Sequence, residues 1–185
     1  MTAAVILAGG LGRRIGGNKP FYPYRGSTLV ETVITRLAPQ TPDLYINAAS
    51  LNPALENLSL PMTYDDPLLV GLGPLSGVLS ALALARRQDW PAIATVPCDM
   101  PHLPLDLLAQ LTAAPSTDVV HFTGARDYPL CALWKASLFN RLYESLAAAQ
   151  PSGGLAVRRF LDDVQVCRLV TTDDAAFANI NHAPA

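Results

Sequence analysis

Short apolar runs alternate along the chain with longer stretches whose apolar positions recur every three to four residues. The run at residues 3–7, Ala-Ala-Val-Ile-Leu, stops at a glycine pair, as a buried parallel strand does. Residues 27–37 read as a helix: Thr28 and Glu31 have capping-box spacing, Leu29, Val33 and Leu37 share one face, and Pro39 follows. Residues 43–47 and 62–64 read as two further strands. Residues 73–87 open on Gly73-Pro74 and close on Arg86-Arg87, which predicts an apolar helix with a basic C-terminal end. A fourth buried strand is predicted over 92–96, stopped by Pro97, and a short helix over 103–111 with Pro104 in its first turn. Strands at 118–122 and 129–134, an amphipathic helix at 135–149, a short helix within 152–162 and a last strand at 164–170 complete the pattern.

This alternation predicts a three-layer α/β/α, Rossmann-like fold around a mostly parallel sheet, as one domain over residues 1–185. In such sheets ligands sit beyond the carboxyl ends of the strands. Three features fall there: the glycine-rich loop after the first strand, Asp65-Asp66 after the third, and Pro97-Cys98-Asp99-Met100-Pro101 after the fourth.

Composition narrows the reading. The 185 residues suit one domain, and half of them are hydrophobic. No apolar run approaches the ~18 residues of a membrane helix. The N-terminus carries no basic region ahead of a long apolar stretch, so no secretory signal is expected. A net charge of −2 argues against nucleic-acid binding. Yet Arg13, Arg14, Lys19 and Arg25 all precede the first acidic residue, Glu31, which points to a local anion site. Cys98, Cys131 and Cys167 form no C-x-x-C pair, so neither a zinc site nor a disulfide framework is expected, and a reducing, cytoplasmic setting is. His102, His121 and His182 show no metal-ligand spacing.

The loop at residues 9–19 fits neither of two familiar phosphate loops. A dinucleotide fingerprint from Gly10 would need glycine where Ile15 stands, and a P-loop from Gly12 gives Asn18, Lys19 and Pro20 after Gly17. It does fit L-A-G-G-x-x-x-R-x-G-G-x-K, through Leu7, Ala8, Gly9, Gly10, Arg14, Gly16, Gly17 and Lys19. Glycines there let backbone N–H groups approach phosphate oxygens. Arg14 and Lys19 can offset charge as an α-phosphate is attacked and pyrophosphate leaves.

Further motifs follow in order: Asn47 ending a strand, Asp66 after the next, Gly73-Pro74-Leu75-Ser76-Gly77, Pro97-Cys98-Asp99-Met100-Pro101, and Asn179-Ile180-Asn181. With the glycine-rich loop, this series resembles the molybdenum cofactor guanylyltransferase (MobA-like) family of nucleotidyltransferases. The resemblance implies transfer of GMP from GTP to the terminal phosphate of molybdopterin, with release of pyrophosphate. It implies Mg²⁺ held by Asp99, with Arg14 and Lys19 as the other catalytic groups. Leu7, Ala8, Gly9, Gly10, Lys19, Asn47, Asp66, Gly73, Pro74, Leu75 and Asp99 would bind the nucleotide in the N-terminal half. Asn179 and Asn181 would face the acceptor in the C-terminal half. Cofactor-delivering or molybdoenzyme-chaperone proteins are the partners the resemblance leaves room for, with no nucleic acid and no membrane. The L-A-G-G and GPLxG segments are those of guanylyl rather than cytidylyl members, and a missing Cβ at Gly9 lets a purine lie close to the backbone.

Other roles stay open at several of these positions. Asp99 can cap the turn at 100–103, Asp66 can be a strand-end turn residue, and Asn179 and Asn181 can be a polar terminal loop. Arg126-Asp127-Tyr128-Pro129 resembles a family segment near the acceptor side but also reads as an exposed turn. Arg158 and Arg159 suit an acceptor phosphate or a solvated helix face. Cys98 has no identifiable base beside it and reads as a small buried hydrophobe. The chain departs from the family pattern at Asn18-Lys19-Pro20, where Asp-Lys-Gly is usual, and at His182-Ala183-Pro184, where Thr-Pro is usual. The competing functional readings are a cytidylyltransferase or sugar-phosphate nucleotidyltransferase, and a nucleotide-binding regulatory protein without turnover.

Overall fold

The computed structural model describes residues 2–10 and 18–180. β1 (Ala4–Leu7) runs down the middle of the sheet, between β4 (Leu44–Ala48) and β6 (Ala92–Pro97), parallel to both. Its side chains alternate as period-2 geometry requires. Ala4 and Ile6 enter one core, Ala3 and Val5 the other. β5 (Met62–Tyr64) adds outside β4, and β8 (Asp127–Lys135), β7 (Val119–Thr123) and β9 (Val166–Val170) add beyond β6. The order is β5-β4-β1-β6-β8-β7-β9, with four parallel pairings and two antiparallel ones, both made by β8. The mostly parallel α/β sheet expected from the sequence is therefore present.

Helices cover both faces. α1 (Leu29–Leu37) and α4 (Leu107–Ala113) bury Val30, Val33, Leu107 and Leu111 in the first core. α3 (Pro74–Arg87), α5 (Phe139–Ala149) and α6 (Val157–Leu161) bury Val78, Leu82, Leu142, Leu146 and Phe160 in the second. α1 starts where the capping box places it: Glu31 N–H donates to the Thr28 hydroxyl, and Thr28 N–H to the Glu31 carboxylate.

Four details differ from the expectation. Pro97 is the last residue of β6 rather than its stop, because the next ladder bond is donated by Cys98 N–H to Leu7 C=O at 3.2 Å. α4 begins at Leu107, with Pro104 outside it. Gln40 caps that end, its carbonyl accepting Leu108 N–H at 2.9 Å while its amide donates to Pro104 C=O at 3.0 Å. Residues 136–138 form a 3₁₀ turn before α5. The hairpin β2 (Pro23–Tyr24) with β3 (Ser27–Thr28) and the one-turn helix α2 (Pro53–Glu56) carry no periodic apolar signal and were not expected. No helix among the described residues is long and apolar enough to cross a membrane.

Candidate active site

Parallel register sets Leu7 beside Asn47 on one side and Pro97 on the other. The three strands therefore end in one row. The chain beyond each, at Gly9-Gly10, Ala49-Ser50 and Cys98-Asp99, turns into one cavity of about 510 Å³. That volume is within the ~300–1,000 Å³ usual for small-molecule sites. The N-terminal end of α3, at Gly73, Pro74 and Gly77, supplies the wall opposite, and its helix dipole favours an anion there.

Two glycines make this convergence possible. A Cβ on Gly9 would stand 3.0 Å from the Ala49 backbone nitrogen. A Cβ on Gly77 would stand 2.5 Å from Asn47 Oδ1 and 3.0 Å from Leu7 Cδ2. What Gly9 admits is thus a neighbouring backbone, a constraint the sequence reading had ascribed to the base.

The polar groups fall into two sets. At one end Lys19, from the 3₁₀ turn Lys19–Phe21, forms an ion pair with Asp99, their side chains 19% and 7% exposed. Ile180 N–H donates to Asp99 C=O at 2.9 Å, which ties the C-terminal segment to the same spot. At the other end Asn47, almost wholly buried, donates from Nδ2 to Asp65 Oδ1 at 3.0 Å, and the Ser80 hydroxyl approaches the same oxygen at 3.4 Å. Burial pushes the Asp65 carboxyl above its ordinary range, against the hydrogen bonds from Asn47 and Ser80. Burial, with the Asp99 charge adding to it, pushes the Cys98 thiol up to about 12, so it stays protonated and is no nucleophile.

The structure brings together Leu7, Gly9, Gly10, Lys19, Asn47, Gly73, Pro74 and Asp99 of the residues singled out from sequence. Ala8 and Leu75 do not line the cavity. Ala8 is 6% exposed in the first core, its N–H used by Asn47 C=O, and Leu75 is fully buried in the second. Asp66 also stands off the wall. Its carboxylate accepts Leu68 N–H at 2.9 Å and so holds the turn leading to Val70 and Gly71, which do line the cavity. Asp65 takes the wall position, and the adjacent pair offered no signal to say which carboxylate would face inward. Asn179 lies next to the Ile180–Asp99 contact, and its buried Oδ1 has no hydrogen-bond partner among the described residues. Arg14 and Asn181 lie outside the described residues.

An α/β domain with its cavity past the central strands, a helix N-terminus on one wall and a lysine–aspartate pair on the floor defines a nucleotide-binding fold suited to phosphate chemistry. Comparison with known proteins is specific. The model of the MobA-like NTP transferase domain matches residues 4–167. The molybdenum cofactor guanylyltransferase of Mannheimia succiniciproducens is 36% identical over 97% of this chain and 94% of its own. That of Cereibacter sphaeroides is 37% identical over 96% and 89%. The crystal structure of molybdopterin-guanine dinucleotide biosynthesis protein A from Archaeoglobus fulgidus superposes with a TM-score of 0.76 at 23% identity, covering 99% of this chain and 93% of that one. The chain belongs to the MobA-like NTP transferase family.

Proposed function

We propose that the protein transfers GMP from GTP to the terminal phosphate of molybdopterin, releasing pyrophosphate. The observation that carries this reading is the Lys19–Asp99 pair on the floor of the cavity, in a chain whose relatives across nearly its whole length are named guanylyltransferases. An acceptor phosphate oxygen attacks the α-phosphorus of GTP in line. The new P–O bond replaces the α–β bridge, and pyrophosphate departs with the electron pair. The acceptor is already an anion, so positioning and charge neutralisation suffice without a strong general base.

Among the described residues no group of three or more His, Cys, Asp or Glu could cage a metal. That suits Mg²⁺, which binds through one or two carboxylates plus substrate phosphates. Asp99, rigidly placed after β6 and facing the cavity, is the residue that would hold it. When bound, the ion would neutralise phosphate charge during transfer. Lys19 adds a second positive charge in the same place. Asn47 and Asp65 stand where a base with N–H donors can be read, and Asn179, next to Ile180, which bonds Asp99 C=O, would face the incoming substrate. Cys98, Cys131 and Cys167 are all unpaired, which supports a reducing, cytoplasmic setting.

The test is pyrophosphate release from GTP, CTP and ATP, with and without molybdopterin. Acceptor-dependent release from GTP alone is the expected result. Release from CTP at an equal rate would replace the guanylyl reading by a cytidylyl one, and nucleotide binding without release would replace it by a regulatory one.

A further inference from the structure

Two segments carry the charged pair on the cavity floor. Lys19 opens the 3₁₀ turn Lys19–Phe21, and Asp99 follows β6. A few residues further along, the same two segments meet again. The Tyr24 hydroxyl and Nε2 of His102 share a hydrogen bond of 2.7 Å, with the rings edge to face at 77° and their centroids 5.8 Å apart. Tyr24 and His102 line a separate small cleft against Thr32 and Arg36 of α1.

Tyr24 is fixed from its own side. It pairs with Ser27 in the β2–β3 hairpin, whose two central residues, Arg25 and Gly26, both have positive φ (49° and 83°), as the turn of a two-residue hairpin loop demands. The Arg25 guanidinium lies 5.5 Å from the Tyr24 ring centroid. Leu29 N–H, at the start of α1, donates to Tyr22 C=O at 3.1 Å and ties the hairpin to the helix. On the other side, burial and then the Arg25 and Arg36 charges push the His102 imidazole below its ordinary range, against Asp173, so the ring is neutral at pH 7. The bond therefore joins two uncharged groups and is not screened by salt as an ion pair is.

Substrate treats the two links differently. On the transfer reading, Lys19 turns to phosphate and Asp99 to the metal, so their ion pair is given up when the cavity fills. The Tyr24–His102 bond spends no group that the reaction needs. We propose that Tyr24 and His102 are a positioning pair, whose hydrogen bond keeps the Lys19 turn in register with the Asp99 segment once that ion pair is exchanged for substrate. The pair acts through Lys19 and Asp99. Its effect on rate rests on the transfer reading, and the link itself does not.

Two measurements test it. Hydrogen exchange at Phe21 and Tyr22 N–H, which donate to Asn18 C=O and Lys19 C=O, reads the turn without nucleotide. Lys19→Ala removes the ion pair and should change these rates by less than about twofold, and adding Tyr24→Phe should speed them about fivefold, the loss of one neutral hydrogen bond. If Lys19→Ala alone opens the turn as far as the double variant does, the ion pair is the clasp and the proposal is overturned. The second readout is acceptor-dependent pyrophosphate release from GTP. Tyr24→Phe and His102→Leu should each lower kcat about tenfold with the GTP KM within about twofold, since misplacement costs rate before it costs binding. Combining them should cost no more than either alone, because both delete one bond. His102→Gln, whose side-chain amide reaches the Nε2 position, should recover most of the loss. An unchanged kcat in both single variants, additive losses, or a loss that follows the thermal midpoint without rescue by glutamine overturns the proposal. A wild-type chain that releases no pyrophosphate ends the transfer reading instead, and the exchange rates then decide the pair alone.

Discussion

The nucleotide cavity and a second cleft, lined by Arg126, Arg158 and Arg168 where the turn between β7 and β8 meets α6 and β9, have similar volumes, but they are built from different material. The first is framed by backbone. Its floor is the row Leu7–Asn47–Pro97, fixed by the parallel ladder, and the Lys19 and Asp99 side chains on it are mostly shielded and face each other. The second is framed by exposed arginines from a turn, a five-residue helix and an edge strand. Charges shielded from water act strongly over short distances, whereas exposed ones are weakened by solvent and salt. The first cavity is therefore the one whose charges suit phosphate chemistry. Six substitutions in and beside the first would break or sharpen that contrast.

Asp99→Asn should have the largest effect, lowering pyrophosphate release by roughly a hundredfold to a thousandfold, as loss of one preorganised charge does. The amide is isosteric, so the thermal midpoint should move little. A wild-type rate at limiting Mg²⁺ would show that Asp99 is no metal ligand and would erase the contrast. Lys19→Ala should follow at roughly a hundredfold in kcat, with a smaller loss of GTP affinity, because its charge matters most as phosphate charge redistributes. Equal losses in both would make it a ground-state contact.

Gly77→Ala tests the backbone frame. The new Cβ would meet Asn47 Oδ1 at 2.5 Å, and Asn47 is buried and held by Asp65, so the neighbour cannot give way cheaply. A stability loss of about 1–3 kcal/mol in denaturant unfolding and a clear fall in GTP affinity are expected. Gly9→Ala, with its tightest contact at 3.0 Å, should act in the same direction by less.

The smallest effects should separate the adjacent aspartates. Asp65→Asn should weaken GTP binding and its preference over CTP, whereas Asp66→Asn should be close to silent, since an amide oxygen still accepts Leu68 N–H. A loss at Asp66 alone would show that its carboxylate turns into the cavity when nucleotide binds. Asp65 also carries a pH signature. Its folded pKa is raised above the ordinary 3.8, so the folded state binds the proton more tightly, and this contribution to stability is present below 3.8 and lost as pH rises through the folded pKa. Asp65→Asn should remove that part of the pH dependence, which thermal unfolding across the acid range would show as a flatter curve.

The sheet was legible in the sequence because each strand is a short apolar run closed by glycine, proline or a polar turn, and the long helices because their apolar positions keep one face. Lys19, Asn47, Asp99 and the glycines were legible because each sits at a strand end or in a loop opening on the carboxyl edge. Leu75 was not, because a residue next to lining positions on a helix can face the core instead.

What the sequence by itself determined was the α/β alternation, the capping of α1 and the edge where the glycine-lined cavity opens, since each follows from periodicity or spacing within a few residues. Only the tertiary structure decided that β8 runs antiparallel, that Asp65 rather than Asp66 faces the cavity, that Lys19 meets Asp99 across 80 residues, and that Arg126, Arg158 and Arg168 share one cleft. Each of these depends on which distant segments the two cores press together, and burial of apolar surface, which drives that choice, has no direction written into local sequence.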